Sequence, residues 1–280
     1  MIILPEMNPE IFHVTIFDFV IAPRWYGLAY VVGLIFAWWY CVKLCSQKFL
    51  WKNDIPALEK ENIESLIFYA AIGCLAGGRL GYVLFYNLDY YSTHVLDLFK
   101  IWQGGMSFHG GILGVFVAIV VYSLRYKVQL LSLMDIGCVV ASGGLFFGRL
   151  ANFVNGELWG RQTSVSWGMV FPEDPLQISR HPSQLYEALG EGIFLGIILS
   201  SAVWFFSSLK RPGMTSSIFI FGYGVVRFYI EFFREPDQHL GFIVRFSDII
   251  ALSMGQILCV PMIIAGVALF KRSRRGGADL

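Results

Sequence analysis

Seven apolar runs, each about as long as a bilayer is thick, constrain this chain more than any other feature. They lie near 25–44, 63–86, 105–123, 131–155, 186–206, 214–233 and 247–270. A helix needs roughly 20 apolar residues to cross the hydrocarbon. Lipid offers the backbone no hydrogen-bond partners, so runs of this kind are helical. The expected fold is therefore all-α: a polytopic membrane protein of about seven transmembrane helices, a single transmembrane domain over residues 1–280. The connections at 87–104 and 156–185 are expected to lie outside and form a small head. Charged residues make up 15% of the chain, against about 25% in soluble domains. A net charge of +1 gives no reason to expect nucleic acid as a partner.

The five cysteines, Cys41, Cys45, Cys74, Cys138 and Cys259, all sit in apolar stretches and read as small packing residues. No His, Cys or carboxylate spacing suggests a metal site, and no cofactor is expected. No Lys or Arg precedes Arg24, so the basic start of a cleavable signal peptide is missing and the first run is expected to remain as a span. There is no repeat of fixed period and no low-complexity tract.

Charge in the connections orients the bundle. One alternate set holds twelve basic residues, from Lys43, Lys48, Lys52 and Lys60 through Arg125, Lys127, Lys210 and Arg211 to Lys271, Arg272, Arg274 and Arg275. The other set holds six: Arg24, Lys100, Arg161, Arg180, Arg234 and Arg245. The richer side is expected to be cytoplasmic, with the N-terminus outside and the C-terminus inside. This orientation assigns depths. Tyr26, His109, Glu187 and Asp248 begin inward-running spans, while Arg79, Arg149, Asn152, Asn155, Tyr223, Arg227 and Glu231 end outward-running ones. Both groups fall in the outer half of the membrane, and the cytoplasmic half is plain.

Ionisable groups inside spans are costly and usually face an interior or an aqueous cavity. Tyr223, Arg227 and Glu231 follow one another at four-residue steps and share a helix face. Two readings compete for Arg79, Arg149 and Arg227. They line a cavity for an anionic headgroup, since a guanidinium fork matches phosphate, or they pair with Glu187, Glu191 and Glu231. The glycine clusters at Gly77-Gly78, Gly104-Gly105, Gly110-Gly111 and Gly143-Gly144 likewise fit either close helix packing or backbone approaching a ligand.

One stretch is far more specific than composition: Gly148-Arg149-Leu150-Ala151-Asn152-Phe153-Val154-Asn155-Gly156-Glu157-Leu158-Trp159-Gly160. It resembles the signature of the bacterial prolipoprotein diacylglyceryl transferases. Trp25-Tyr26-Gly27, Gly77 through Tyr82, Gly104 through Gly111, Arg180 through Glu187 and Arg227 through Pro236 agree with that family in order and spacing. The likeness covers roughly residues 23–248. Arg24 departs from it, standing where the family pattern carries histidine, so no role is carried over to that position.

The resemblance implies a reaction. The diacylglyceryl group of phosphatidylglycerol passes to the cysteine thiol in the lipobox of a secreted prolipoprotein signal peptide, forming a thioether and releasing glycerol phosphate. It also implies residence in the bacterial cytoplasmic (inner) membrane, with the site open toward the outer leaflet and membrane lipid as a partner. His109 is the titratable residue suited to take the thiol's proton, and Arg149 and Arg227 suit the departing phosphate. Tyr26, Arg79, Asn152, Asn155, Glu157, Gly160, Tyr223 and Glu231 are then expected to hold substrate. An intramembrane serine protease fits less well, because Ser107 and His109 are two positions apart and do not face each other on a helix. A transporter would carry its polar residues through to the cytoplasmic half.

Overall fold

A computed structural model describes residues 2–5, 7–16, 19–235, 242–245 and 251–275. Asp248, Pro236 and the first residues of the seventh expected span, 247–250, lie outside the described residues. Among the described residues six helices are long and apolar enough to cross a membrane: α1 (Trp25–Ser46), α2 (Lys60–Tyr86), α4 (Phe108–Tyr126), α5 (Leu130–Val154), the composite Ser183–Trp204 and α9 (Met254–Arg275). The short α3 (Leu88–Thr93) follows α2. The composite fifth span begins as α6 (Ser183–Glu187), widens into a π-helical turn over Ala188–Phe194 and ends as α7 (Leu195–Trp204). To these is added a shorter apolar helix, α8 (Met214–Ile230). The chain is an all-α polytopic membrane protein. Among the described residues the strands are two-residue to four-residue pieces: β1 (Ile2–Ile3) beside β4 (Met169–Val170), β2 (Val14–Ile16) beside β3 (Phe19–Ile21), and β5 (Phe242–Arg245) beside β6 (Ala251–Ser253).

Most span boundaries shift by a few residues from the sequence expectation, and hydrogen bonds explain the late starts of the third and the last. The third span starts at Phe108, not 105, because Gly104 and Gly105 have φ of +82° and +76° and Ser107 caps the helix, its Oγ accepting from Gly110 N at 3.2 Å. The last starts at Met254. Ser253 Oγ accepts from Gln256 N at 3.3 Å while Gln256 Oε1 accepts from Ser253 N at 3.1 Å. This reciprocal pair is a capping box, which ends the preceding strand and begins the helix.

The structure divides into two compact units, Met1–Tyr40 with Asp135–Leu280, and Cys41–Met134. In the second, α2 and α4 run antiparallel with their backbones touching. A Cβ on Gly73 would meet Gly114 O at 2.5 Å, and one on Gly77 would meet Gly110 O at 2.4 Å. Only a ladder of glycines at four-residue steps permits this approach. Tyr122, fully buried, fastens the far end by donating to Asn62 O at 3.0 Å.

In the first unit the fifth span lies between α5 and α8. Gly192 abuts the backbone of Phe146 on α5 and Gly190 the side chain of Val226 on α8. The start of α8 is held by Asp135 of α5, whose carboxylate accepts from Gly213 N, Ser216 N and Ser216 Oγ, each at 2.7 Å. These are the unpaired N–H groups of a helix N-terminus, satisfied here by a neighbouring helix.

Candidate active site

Three spans bring six charged side chains into one buried cluster. Arg149 projects from α5 one and a half turns before its end. Glu187 closes α6 and Glu191 lies inside the π-helical turn; Arg227 is near the end of α8, with Glu231 and Arg234 just beyond. Arg149 Nε stands 3.0 Å from Glu187 Oε2, and its Nη2 3.4 Å from Glu191 Oε2. Arg227 Nη1 donates to Glu187 Oε1 and lies 3.8 Å from Glu191 Oε1, while its Nη2 donates to Glu231 Oε2 at 2.7 Å. Arg234 Nη1 reaches Glu187 Oε1 at 3.4 Å. Ser253 Oγ completes the far edge by donating to Glu231 Oε1 at 2.9 Å.

The carboxylates lie deeper than the guanidiniums. The Glu187 and Glu191 side chains are 1% and 0% exposed, and those of Arg149 and Arg227 13% each. Arg149 Nε and Glu187 Oε2 meet as an ion pair only, since that oxygen accepts no hydrogen bond among the described residues, and Arg149 Nη1 and Arg227 Nε make none there either, so neither guanidinium spends all its N–H groups on carboxylate. Tyr223, one turn before Arg227 on α8, stacks on Phe219 at 5.8 Å and is half-buried.

A second network adjoins the first through Asn152, one turn after Arg149 on α5. Asn152 Nδ2 donates to Tyr26 Oη and, at 2.8 Å, to Glu157 Oε1; Tyr26 Oη also donates to Glu157 Oε1. The loop carrying Glu157 is fixed by the start of the fifth span. Gln184 Nε2 donates to Glu157 O at 2.6 Å and Ser183 Oγ to Leu158 O at 3.0 Å. Gly160 sits where nothing larger fits: a Cβ would fall 2.4 Å from Phe233 O and 2.7 Å from His181 O. Asn155 turns a buried Oδ1 to no hydrogen-bond partner among the described residues.

The remaining expected site residues belong to the other unit. Arg79 on α2 is 3% exposed and spends all its N–H groups on backbone. Nε donates to Leu98 O at 2.9 Å, Nη1 to Gly104 O at 2.5 Å and Gly105 O at 3.2 Å, and Nη2 to Asp97 O at 2.7 Å and Lys100 O at 3.2 Å. It organises the turns between α2 and α4. His109, second residue of α4, is exposed and its ring meets Phe108 edge-on at 5.8 Å. Among the described residues no group of three or more His, Cys, Asp or Glu is placed to hold a metal ion.

A family model described as prolipoprotein diacylglyceryl transferase matches residues 13–272, nearly the whole chain. The chain belongs to the prolipoprotein diacylglyceryl transferase family. A phosphatidylglycerol–prolipoprotein diacylglyceryl transferase of Roseobacter denitrificans is 43% identical over 285 residues, covering 96% of this chain and 97% of the relative. One of Bradyrhizobium diazoefficiens is 47% identical over 259 residues, covering 92% and 89%. One of Mesorhizobium japonicum is 44% identical over 263 residues, covering 94% and 89%.

Within this transferase-family chain, the clustered residues that composition alone does not single out are Arg234, Ser253 and Gln184. Arg234 reads in the sequence as one more loop charge. Ser253 has a usable signal, a Ser three residues ahead of Gln at the mouth of an apolar run. Gln184 falls in the Arg180–Glu187 stretch that carries the family likeness, but nothing there points to its partner, a carbonyl 27 residues back.

The loop bearing Glu157 and Gly160 also depends on Arg180, which grips Asp174 with Nε–Oδ2 of 2.6 Å and Nη2–Oδ1 of 3.1 Å. Burial alone would raise the Asp174 carboxyl, but hydrogen bonds from Arg180 and nearby backbone hold it below its ordinary 3.8. A carboxyl lowered by folding adds stability above its unfolded value, and that contribution drains away as pH falls through the lowered one. The difference in thermal midpoint between the protein and Asp174→Asn is therefore expected to be full at neutral pH and to shrink below about pH 4. Midpoints measured from neutral to acid would refute this if the difference stayed constant.

Proposed function

We propose that this chain transfers the diacylglyceryl group of phosphatidylglycerol to the lipobox cysteine of secreted prolipoproteins, the first step of lipoprotein maturation. The cysteine sulfur forms a bond to the glyceryl carbon as that carbon's bond to the phosphate oxygen breaks. The thiol's proton goes to His109, and glycerol phosphate departs. A phosphodiester with one negative charge becomes a monoester with up to two, so the charge to be stabilised grows on the leaving group. The observation that carries the reading is the pair Arg149 and Arg227, converging from two helices with N–H groups to spare. Fixed donors in a site of low dielectric are suited to that charge. Tyr26, Asn152, Glu157 and Tyr223 shape the place of the lipid headgroup. His109 is assigned by its chemistry, an imidazole whose ring nitrogen can take a proton and which is exposed at the start of α4.

The direct test is incubation of purified protein with phosphatidylglycerol and a lipobox peptide, followed by mass spectrometry. The expected product carries diacylglyceryl on sulfur, and a Cys→Ser peptide is expected to gain nothing. Modification of the serine peptide, or none of either, would remove the assignment.

Orientation belongs to the same proposal. The site opens toward the outer leaflet of the bacterial cytoplasmic membrane, because basic residues favour the connections of the opposite side twelve to six. A cysteine placed beside Lys271 is expected to resist an impermeant thiol reagent in intact cells and to react after lysis. Labelling in intact cells would reverse every depth assigned here.

A further inference from the structure

The two clamp arginines are held from below by a carboxylate that the transfer chemistry does not require. Glu187 sets one oxygen against each: Oε2 stands 3.0 Å from Arg149 Nε as an ion pair without a hydrogen bond, and Oε1 accepts from Arg227 Nη1. Two guanidiniums this close repel unless an anion lies between them. Glu187 supplies that anion from inside the protein, 1% exposed, and it is placed there by packing. The π-helical turn that follows it carries Gly190 and Gly192. These let the span press against Val226, next to Arg227, and against Phe146, one turn before Arg149. A widened turn of this kind inside a span often marks a functional position.

We propose that Glu187 is the positioning residue of the phosphate clamp: it aligns both guanidiniums so that Arg149 Nη1 and Arg227 Nε face the substrate phosphate together. The inference rests on the clamp reading given above. It has a second part, which concerns charge. The ion-paired cluster of Arg149, Arg227 and Arg234 with Glu187, Glu191 and Glu231 is neutral as a whole. An anion therefore meets aligned donors without an excess of positive charge, and glycerol phosphate leaves readily. Removing the Glu187 charge makes the cluster net positive and loosens the alignment. Binding of an anion then strengthens while turnover falls.

That opposition is the test, because a merely structural residue would weaken both. In purified full-length Glu187→Gln, kcat for thioether formation is expected to fall about tenfold or more. KM for phosphatidylglycerol is expected to stay level or fall, and added glycerol phosphate to inhibit several-fold more strongly. Glu187→Asp keeps the charge on a shorter stem, so inhibition by glycerol phosphate should return to the level of the unaltered enzyme while kcat stays reduced. If the glutamine variant does not fold, the aspartate variant alone decides: reduced kcat with ordinary inhibition supports the role, and unaltered kcat overturns it. A Glu187→Gln enzyme with normal kcat, or with KM and inhibition both weakened, also overturns it. Arg149→Lys and Arg227→Lys measured alongside separate the two readings. If they are impaired and Glu187→Gln is not, only this inference fails; if neither lysine variant is impaired, the clamp itself fails.

Discussion

Arg149→Lys and Arg227→Lys are each expected to slow diacylglyceryl transfer about tenfold or more, roughly 1.4 kcal/mol of barrier, in protein that remains inserted and folded. Each guanidinium divides its fork. Arg149 donates from Nη2 to Glu191 and sets Nε beside Glu187 as an ion pair, and Arg227 donates from Nη1 and Nη2 to Glu187 and Glu231. A lysine ammonium has three donors on one nitrogen and cannot face carboxylate and phosphate from separate corners. Arg79→Lys is the contrast. All of Arg79's N–H groups serve carbonyls between Asp97 and Gly105, so the expected loss is in the order of that segment, with a smaller fall in turnover per folded molecule. Thioether formation at saturating phosphatidylglycerol, normalised to the amount of each variant in the membrane, decides the matter. Near-normal turnover in both lysine variants would leave Arg149 and Arg227 as structural partners of the glutamates and nothing more.

Gly77→Ala is expected to be among the most damaging single methyl groups that this chain can receive. The new Cβ would lie 2.4 Å from Gly110 O and 2.7 Å from Gly114 Cα, both backbone, so no side chain can swing aside. The helices α2 and α4 have to separate, and the contacts along their whole glycine ladder weaken with them. Overpacking of this kind costs about 1–3 kcal/mol, with the upper end expected where only backbone can yield. Gly144→Ala is the control, since its Cβ would meet nothing within 4 Å. Thermal unfolding of the two variants in the same detergent should show a lowered midpoint for Gly77→Ala and an unchanged one for Gly144→Ala. An unchanged midpoint in both would mean that the two helices are not in backbone contact.

These two predictions draw on features that the sequence discloses unequally. The spans are legible because the bilayer demands uninterrupted apolar length, which can be counted directly. Their ends are less so. An apolar window runs through Ile249, Ile250, Ala251 and Leu252 without registering that Ser253 and Gln256 exchange hydrogen bonds and begin the helix at Met254. The glycine ladder leaves a trace at Gly73, Gly77 and Gly81 opposite Gly110 and Gly114, but the choice between packing and ligand approach needs the partner helix. Arg79 shows the limit best. An arginine among glycines at the end of a span has the same sequence appearance whether it faces a lipid phosphate or the carbonyls of the next turn. Its partners lie 18 to 26 residues on, in short 3-10 turns and the glycines after them, too brief for a periodicity to read. Glu187 and Glu191 are visible as charges, while the π-helical turn between the two arginine-bearing helices is not, because a 3.6-residue repeat is assumed in reading any span.

The acidic fifth span has a consequence for how the protein is made. Ser183–Trp204 contains Glu187 and Glu191 and no lysine or arginine. An ionised side chain on a lone helix costs up to about 2.5–3.5 kcal/mol on insertion scales, the full cost applying at the helix centre. The cations that match these two glutamates arrive at different times: Arg149 is already synthesised in α5, whereas Arg227 emerges only with α8. A ribosome-bound intermediate ending near Pro212 would thus hold a span only half neutralised, reluctant to leave the translocon for lipid. Its release into the bilayer is expected to wait for α8, which makes biogenesis itself a checkpoint that admits the fifth helix only when both arginines are at hand.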